Sequence, residues 1–374
     1  MDLGQGGGGE TDQFDRLPDA LLRLIFNRLK DAESLTRCSL VCKRFASVVP
    51  QVDAVVVRLP PKTNNRSHRD RDHQIVQSGG GSRNRFRNLI RRVITRPLLC
   101  LLQIITLKSS SCLPEDDDDY SLYYSPNQVL KNFEEIRLLR IELPGHVGEI
   151  GSNAGGDSLL RWRAEFGSEL ESCVVLGAKS LRKLSQTPKN TGEQQQLLLS
   201  DDELKLRVVW TISCLISASS RHYMLQEVVS EHRMLQRVVV SDKTNQGRLC
   251  MRTREQIEDL RSKLEVEEQA NSTSDLSPAP GRTPVPALMM KLWYVPELEL
   301  PESGRVMEAA TLVVIKPVVG SKKVEKDRDL VRRVCNMEDE DEEEEHNDDD
   351  AAFGEAVREM MKKKQSYTLE MNSF

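Results

Sequence analysis

The sequence predicts an α+β or α/β protein: a short N-terminal helical unit, then a larger domain in which apolar strands alternate with helices, interrupted by disordered insertions. Three observations lead there. Residues 14–49 place apolar side chains at helical spacing, later segments gather Val, Ile and Leu into runs of strand length, and Gly-, Ser-, Pro- or acid-rich stretches separate those runs.

The N-terminal unit opens at Pro18, which suits the first position of a helix because its missing N–H has no partner there anyway. Asp19 adds a carboxylate where the helix dipole favours one. Leu21, Leu22, Ile25, Phe26 and Leu29 then recur at three- and four-residue steps, while Arg23, Asn27, Arg28 and Lys30 fall mostly elsewhere. Asp31 is the expected N-cap of a second helical region, in which Leu35, Cys38, Val41, Cys42 and Phe45 repeat until Pro50 ends the pattern. A unit below about 40 residues seldom holds itself together without a partner. Its apolar faces therefore imply docking.

The valine-rich run 52–59 reads as a strand, and 61–82 as a flexible loop. Residues 83–96 mix Arg83, Arg85, Arg87, Arg91, Arg92 and Arg96 with Phe86, Leu89, Ile90, Val93 and Ile94, an amphipathic basic helix inside a block carrying about nine net positive charges. This patch fits a solvated basic face or nuclear-import signal, an acidic protein partner, or nucleic acid. Further strands are expected at 101–107, 133–143, 170–176, 235–240, 290–295 and 311–315, with a long helix capped by Ser200 or Asp201. Loops are expected at 114–128, 145–157, 186–200 and 271–286, so that 51–335 forms one interrupted domain. Residues 336–374 read as an acidic disordered segment and tail, with a short amphipathic helix over 353–364.

Several strands begin alike: Phe133, Ile136, Leu138; Leu170, Cys173, Val175; Leu235, Val238, Val240. This pattern resembles leucine-rich repeats and implies a divergent α/β solenoid. The intervals, roughly 30 to 65 residues against the usual 20–29, and the missing strand-end Asn leave a compact α/β domain as the alternative.

Composition narrows the function. At 374 residues with 38% hydrophobic content the chain can build a real core, and its net charge of −5 gives no global pull toward nucleic acid or anionic membrane. No stretch reaches the ~18 consecutive apolar residues of a spanning helix, and the N-terminus lacks a signal-peptide pattern, so an intracellular chain without membrane association is expected. The eight cysteines are scattered and read as reduced core thiols; neither they nor the six histidines have metal-ligand spacing, so no metal and no cofactor is expected. Phosphate loops, dinucleotide fingerprints, nucleophile elbows and zinc-protease motifs are absent from the sequence, and the histidines fall mostly in polar loops or beside helix ends. Catalysis then belongs to a complex and not to this chain. Trp210 and Trp293 read as core residues, the second with a binding-surface alternative.

Residues 14–49 resemble an F-box: Leu17-Pro18, the Leu21/Ile25/Leu29 spacing, Leu35, Cys38 and the closing Val41-Cys42-Lys43-Arg44-Phe45 all match that family. The resemblance implies a three-helix unit that binds a Skp adaptor, and through it a cullin, a RING subunit and a ubiquitin-conjugating enzyme. It makes the chain a non-catalytic substrate receptor of a ubiquitin ligase, in the nucleus and cytoplasm, with an unknown protein as substrate. The residues it assigns to the adaptor face, or to its support, are Leu17, Pro18, Leu21, Ile25, Leu29, Leu35, Val41 and Phe45. The wider chain is similar to plant F-box proteins, particularly the auxin up-regulated group, in the segments LWYVPELELP and ATLVVIKP. Two alternatives stay open: action with Skp outside a ligase, and a regulatory nucleic-acid binder using the basic patch.

Overall fold

The computed structural model describes residues 13–59, 126–144, 159–184, 199–271, 283–318, 326–335 and 348–374. Helices α1 (Asp19–Leu29), α2 (Ala32–Ser39) and α3 (Lys43–Val48) form the N-terminal unit. Pro18 is the N-cap of α1 and not its first residue, with extended dihedrals that feed the chain into the helix. Asp31 caps α2 as expected, accepting from the backbone N–H of Ser34 at 2.9 Å and from its hydroxyl at 2.6 Å. Burial opposes the charge on Asp31, but the two Ser34 bonds and Arg58 hold its carboxyl below the usual range. The second helical region is broken at Leu40–Cys42, where the Cys42 sulfur accepts from Phe45 N–H at 3.4 Å and starts α3.

Ten strands among the described residues make one mixed sheet: β1 (Ala54–Arg58), β2 (Leu138–Leu143), β3 (Leu159–Phe166), β4 (Leu170–Ala178), β5 (Ser180–Lys183), β6 (Arg237–Asp242), β7 (Gly247–Met251), β8 (Leu288–Leu300), β9 (Arg305–Pro317) and β10 (Tyr367–Met371). Their spatial order is β1-β2-β6-β7-β3-β4-β9-β8-β10, and β5 continues the β4 side of β9. Helix α4 (Pro126–Leu130) precedes β2, α5 (Asp201–Glu231) and α6 (Arg254–Asn271) flank the β6–β7 hairpin, and α7 (Asp327–Cys335) and α8 (Asp348–Met361) lie between β9 and β10.

The α+β class is borne out, but the repeat-like solenoid does not form. The expected trio Leu235, Val238, Val240 holds, but Phe133, Ile136, Leu138 is out of register, since Leu138 faces the other side; the buried set there is Ile136, Leu139, Ile141, and with Val52 it gives two aligned triplets across three parallel strands, Val55–Leu139–Val238 and Val57–Ile141–Val240. After β6 the sheet turns. Tight hairpins join β3 to β4, β6 to β7 and β8 to β9, and each reverses chain direction. Leu170, Cys173 and Val175 show the same spacing in an antiparallel strand, because alternation reports which face is buried and not which way the neighbour runs.

Two cores follow from the two faces of the sheet. On one, Leu139, Val238, Val175 and Ile315 pack under α1–α3, α5 and α6; on the other, Val174, Leu176, Leu312 and Val314 pack under α7 and α8. The long α5, roughly 46 Å at 1.5 Å per residue, starts from a reciprocal capping box between Ser200 and Glu203 and crosses the first face. A close approach at Gly177 helps to set where it lies, and another at Gly247 seats Trp162 of the neighbouring strand β3. Ideal Cβ atoms at Gly177 and Gly247 would come within 2.7 Å of Trp210 and 2.4 Å of Trp162, so the indoles fill the space those glycines leave. Gly247→Ala should therefore displace Trp162 and cost about 1–3 kcal/mol, read as a lower urea midpoint with unchanged slope.

The tail assignment is corrected. Residues 348–374 supply α8 and β10, with Phe353, Ala356, Val357 and Met360 buried in the second core and Phe374 exchanging backbone bonds with Val285. The short amphipathic helix expected over 353–364 is present as α8, while β10 was not expected. Inside α8, the buried Glu355 carboxylate accepts from the N–H groups of Glu302 (2.6 Å) and Ser303 (2.9 Å), fastening the β8–β9 hairpin. The expected strand at 101–107 and most expected loops lie outside the described residues, although Pro126–Leu130, placed partly in a loop, is helical.

Candidate functional site

Helix α1 has two apolar sides that do different things. Leu22 and Phe26 are buried in the first core, with Phe26 edge-to-face against Phe45 at 5.2 Å. Leu21, Leu24, Ile25 and Leu29 recur three and four residues apart on the flank beside that buried side and remain exposed, as do Leu40 at 81% and Val41 at 70% after α2. Phe14, also exposed, stacks edge-on over Phe45 at 5.7 Å. Exposed leucines scattered singly need no explanation; a stripe of four on one helix face does.

The segment before α1 is held by Arg44, whose guanidinium donates to the carbonyls of Phe14 (2.8 Å) and Leu17 and to Asp19 at 2.8 Å. The arginine of the closing motif thus orders the Leu17-Pro18 entry. Of the eight residues singled out in the sequence, Pro18, Leu21, Ile25, Leu29 and Val41 lie exposed. Leu17 and Phe45 are half-buried against the core, and Leu35 is fully buried, supporting the face from within. Leu24 and Leu40 were missed; the three- and four-residue periodicity of α1 contains Leu24, whereas Leu40 sits in the helix break, where periodicity gives no signal.

The docking unit is welded to the sheet. The Lys30 carbonyl accepts from Val56 N–H at 2.7 Å, and Asp31 forms a parallel bridge to Val56, so the α1–α2 link extends the β1 edge. Asn27 donates to the Asp53 carboxylate at 3.0 Å and accepts from the Asp53 N–H at 2.8 Å. Arg58 spans Asp31 (2.8 Å) and Glu142 (3.0 Å), and the Pro50 carbonyl accepts from Glu134 N–H. One hydrophobic cluster runs without interruption from Leu22 and Leu35 through Val49 and Val52 to Phe133 and Ile136.

Two buried ionisable groups of the sheet domain are structural. His222, expected to be solvated, is fully buried between Phe166, the Gly167 carbonyl (Nε2, 2.9 Å) and the Thr283 hydroxyl (Nδ1, 2.7 Å). Glu165 is buried beneath Arg252 (2.9 Å) and Arg333 and accepts from the Ser172 hydroxyl, tying α7 to β3. Trp293 is in the second core. Among the described residues no His/Cys/Asp/Glu group is arranged to hold a metal, and no helix is long and apolar enough to cross a membrane. The basic patch Arg83, Arg85, Arg87, Arg91, Arg92 and Arg96 lies outside the described residues.

A three-helix unit with one side of α1 in the core and the other apolar and open is a protein-docking module, and residues 14–52 match the F-box-like family model. The chain belongs to the F-box protein family. It is 40% identical to the Arabidopsis thaliana F-box protein At5g46170 over 98% of this chain and 94% of that one. It is also 34% identical to F-box protein AUF2 and 30% identical to F-box protein AUF1, both from Arabidopsis thaliana, over 97% of this chain and all of each relative. The resemblance to the auxin up-regulated group is thereby borne out. No solved structure matches the chain.

Proposed function

We propose that this chain is the substrate receptor of a Skp–cullin–F-box ubiquitin ligase, working in the nucleus and cytoplasm. It binds the Skp adaptor through α1–α3, reaches the cullin and RING subunits through that adaptor, and presents a protein substrate without catalysing the transfer itself. The carrying observation is the exposed stripe Leu21, Leu24, Ile25 and Leu29 on a helix whose other side is locked in the core. These four side chains are about half covered already, so burying what remains brings about half of the ~1.5–3 kcal/mol that full burial of each would, which still supports a stable complex. A receptor of this kind works by raising the local concentration of substrate lysines, which needs rigidity between docking unit and substrate domain. The weld at Lys30, Asn27 and Arg58 supports that requirement.

The test is co-purification of the full chain with a Skp adaptor and cullin. Ile25→Asp should weaken adaptor binding by roughly 100-fold or more, because it places a charge in an apolar interface. Its melting temperature should stay near wild type, since Ile25 is exposed in the free chain. Unchanged binding of Ile25→Asp would remove the assigned face. Recovery of the adaptor without cullin would favour action outside a ligase.

A further inference from the structure

One charged side chain stands within the open stripe of α1. Arg28 follows Leu21 by seven residues, Leu24 by four and Ile25 by three, so it projects from the same side of the helix as those apolar residues, and it is itself exposed. It is also unpaired. Arg23, Arg37 and Arg44 of the same unit reach Glu135, Glu33 and Asp19, whereas Arg28 has no hydrogen bond or ion pair among the described residues. The helix dipole favours a cation in the last turn, but it does not decide from which side that cation projects. A guanidinium taken out of water without a counter-charge costs more than the burial of one leucine brings. Whatever covers the stripe must therefore answer Arg28.

We propose that the adaptor surface meeting α1 carries a carboxylate, set among its apolar side chains, that pairs with Arg28. The proposal rests on the receptor function above and names a chemical feature of the partner. A guanidinium takes a carboxylate through two parallel N–H···O bonds, and such a fork gains strength as water leaves the interface. The surroundings favour an acid. Residues 14–49 hold seven Lys and Arg against four Asp and Glu, in a chain whose net charge is −5. At physiological salt charges act over about 8 Å, so a partner on α1 meets this local excess and not the total of the chain. Lys43 adds to it: exposed, two residues after the open Val41, it too has no hydrogen bond or ion pair among the described residues. The pair would also fix register. Aliphatic side chains at three- and four-residue steps fit an apolar groove equally well one helical turn along, whereas a single charge pair among them admits one position.

The experiment is surface plasmon resonance of the full chain on a purified Skp adaptor, for wild type, Arg28→Met, Arg28→Lys and Arg28→Glu. Methionine keeps an apolar stem and removes the charge and its donors. Arg28→Met should bind about 30-fold more weakly, through faster dissociation. Arg28→Lys should lie between it and wild type, because the charge stays and the fork is gone. Arg28→Glu should be the weakest, and changing the acidic residues of the adaptor to lysine one at a time should restore its binding at a single position. Melting temperatures of all three variants should stay near wild type, since Arg28 is exposed. Equal or tighter binding of Arg28→Met overturns the proposal, because the charged head then stays in water with only its stem on the stripe. So does a lysine scan in which no position restores Arg28→Glu. A wild type that does not bind the adaptor is a separate result, since it removes the receptor reading and this pair with it.

Discussion

Phe26→Ala will destabilise the whole chain, and not only its first fifty residues, by about 3–5 kcal/mol. The ring is almost fully buried, meets Phe45 edge-on at 5.2 Å and lies in the cluster that continues through Val52 into Ile136 and Leu139. Removing it opens a cavity between docking unit and sheet, and packed interiors relax only partly around such a loss. The neighbouring Leu24→Ala removes a similar apolar volume from the exposed side of the same helix and should change stability by less than about 0.5 kcal/mol while weakening adaptor binding. Urea unfolding followed by far-UV circular dichroism and by the fluorescence of the three tryptophans, all in the sheet domain, reads both effects. Coincident transitions, shifted together in Phe26→Ala, are expected because one core joins the two parts. Separate transitions, with the tryptophan signal unmoved, would show that the helical unit folds alone and would break the argument for rigid presentation.

What could be read from the sequence depended on how local its cause was. The α1 stripe, the Asp31 cap and the Ser200 cap are decided within four residues, and each stands where periodicity and capping chemistry put it. Strand positions were legible for the same reason, since a short run of β-branched residues such as Val238–Val240 is strand-like whatever its neighbours do. Strand partners were not. Val55 finds Leu139 across a long interval and Leu139 finds Val238 across another, whereas the inserted β3 and β4 join the sheet on the far side of β7. Nothing in Leu170, Cys173 and Val175 says that their strand runs antiparallel. The docking face was legible as a stripe, yet its division into buried Leu22 and Phe26 against open Leu21 and Ile25 needs the sheet to be present.

His222 should give the chain a steep loss of stability in mild acid. Burial is the main cause of its pKa being pushed down to about 4; the bond to the Gly167 carbonyl resists this, and Lys263 adds to it. Nε2 donates to that carbonyl, so Nδ1 accepts from the Thr283 hydroxyl, which must turn its own proton away before Nδ1 can be protonated. The unfolded chain, with an ordinary value near 6.5, binds more protons than the folded one between those limits, so stability rises with pH across the window. The contribution is complete above about pH 6.5 and is lost as pH falls toward 4, amounting to roughly 3 kcal/mol at about 1.4 kcal/mol per unit. His232, also pushed down by burial, acts in the same direction, and the lowered carboxylates of Asp31, Asp242 and Asp327 matter only at lower pH. The two histidines are separated by His222→Gln, whose amide donates to Gly167 and accepts from Thr283 without titrating. Urea midpoints measured at pH 7.5 and 5.0 should drop sharply for wild type and by much less for His222→Gln. Equal drops would mean that the His222 proton is not what the acid transition reports, and that the contact between α5, the β3–β4 turn and Thr283 tolerates an imidazolium.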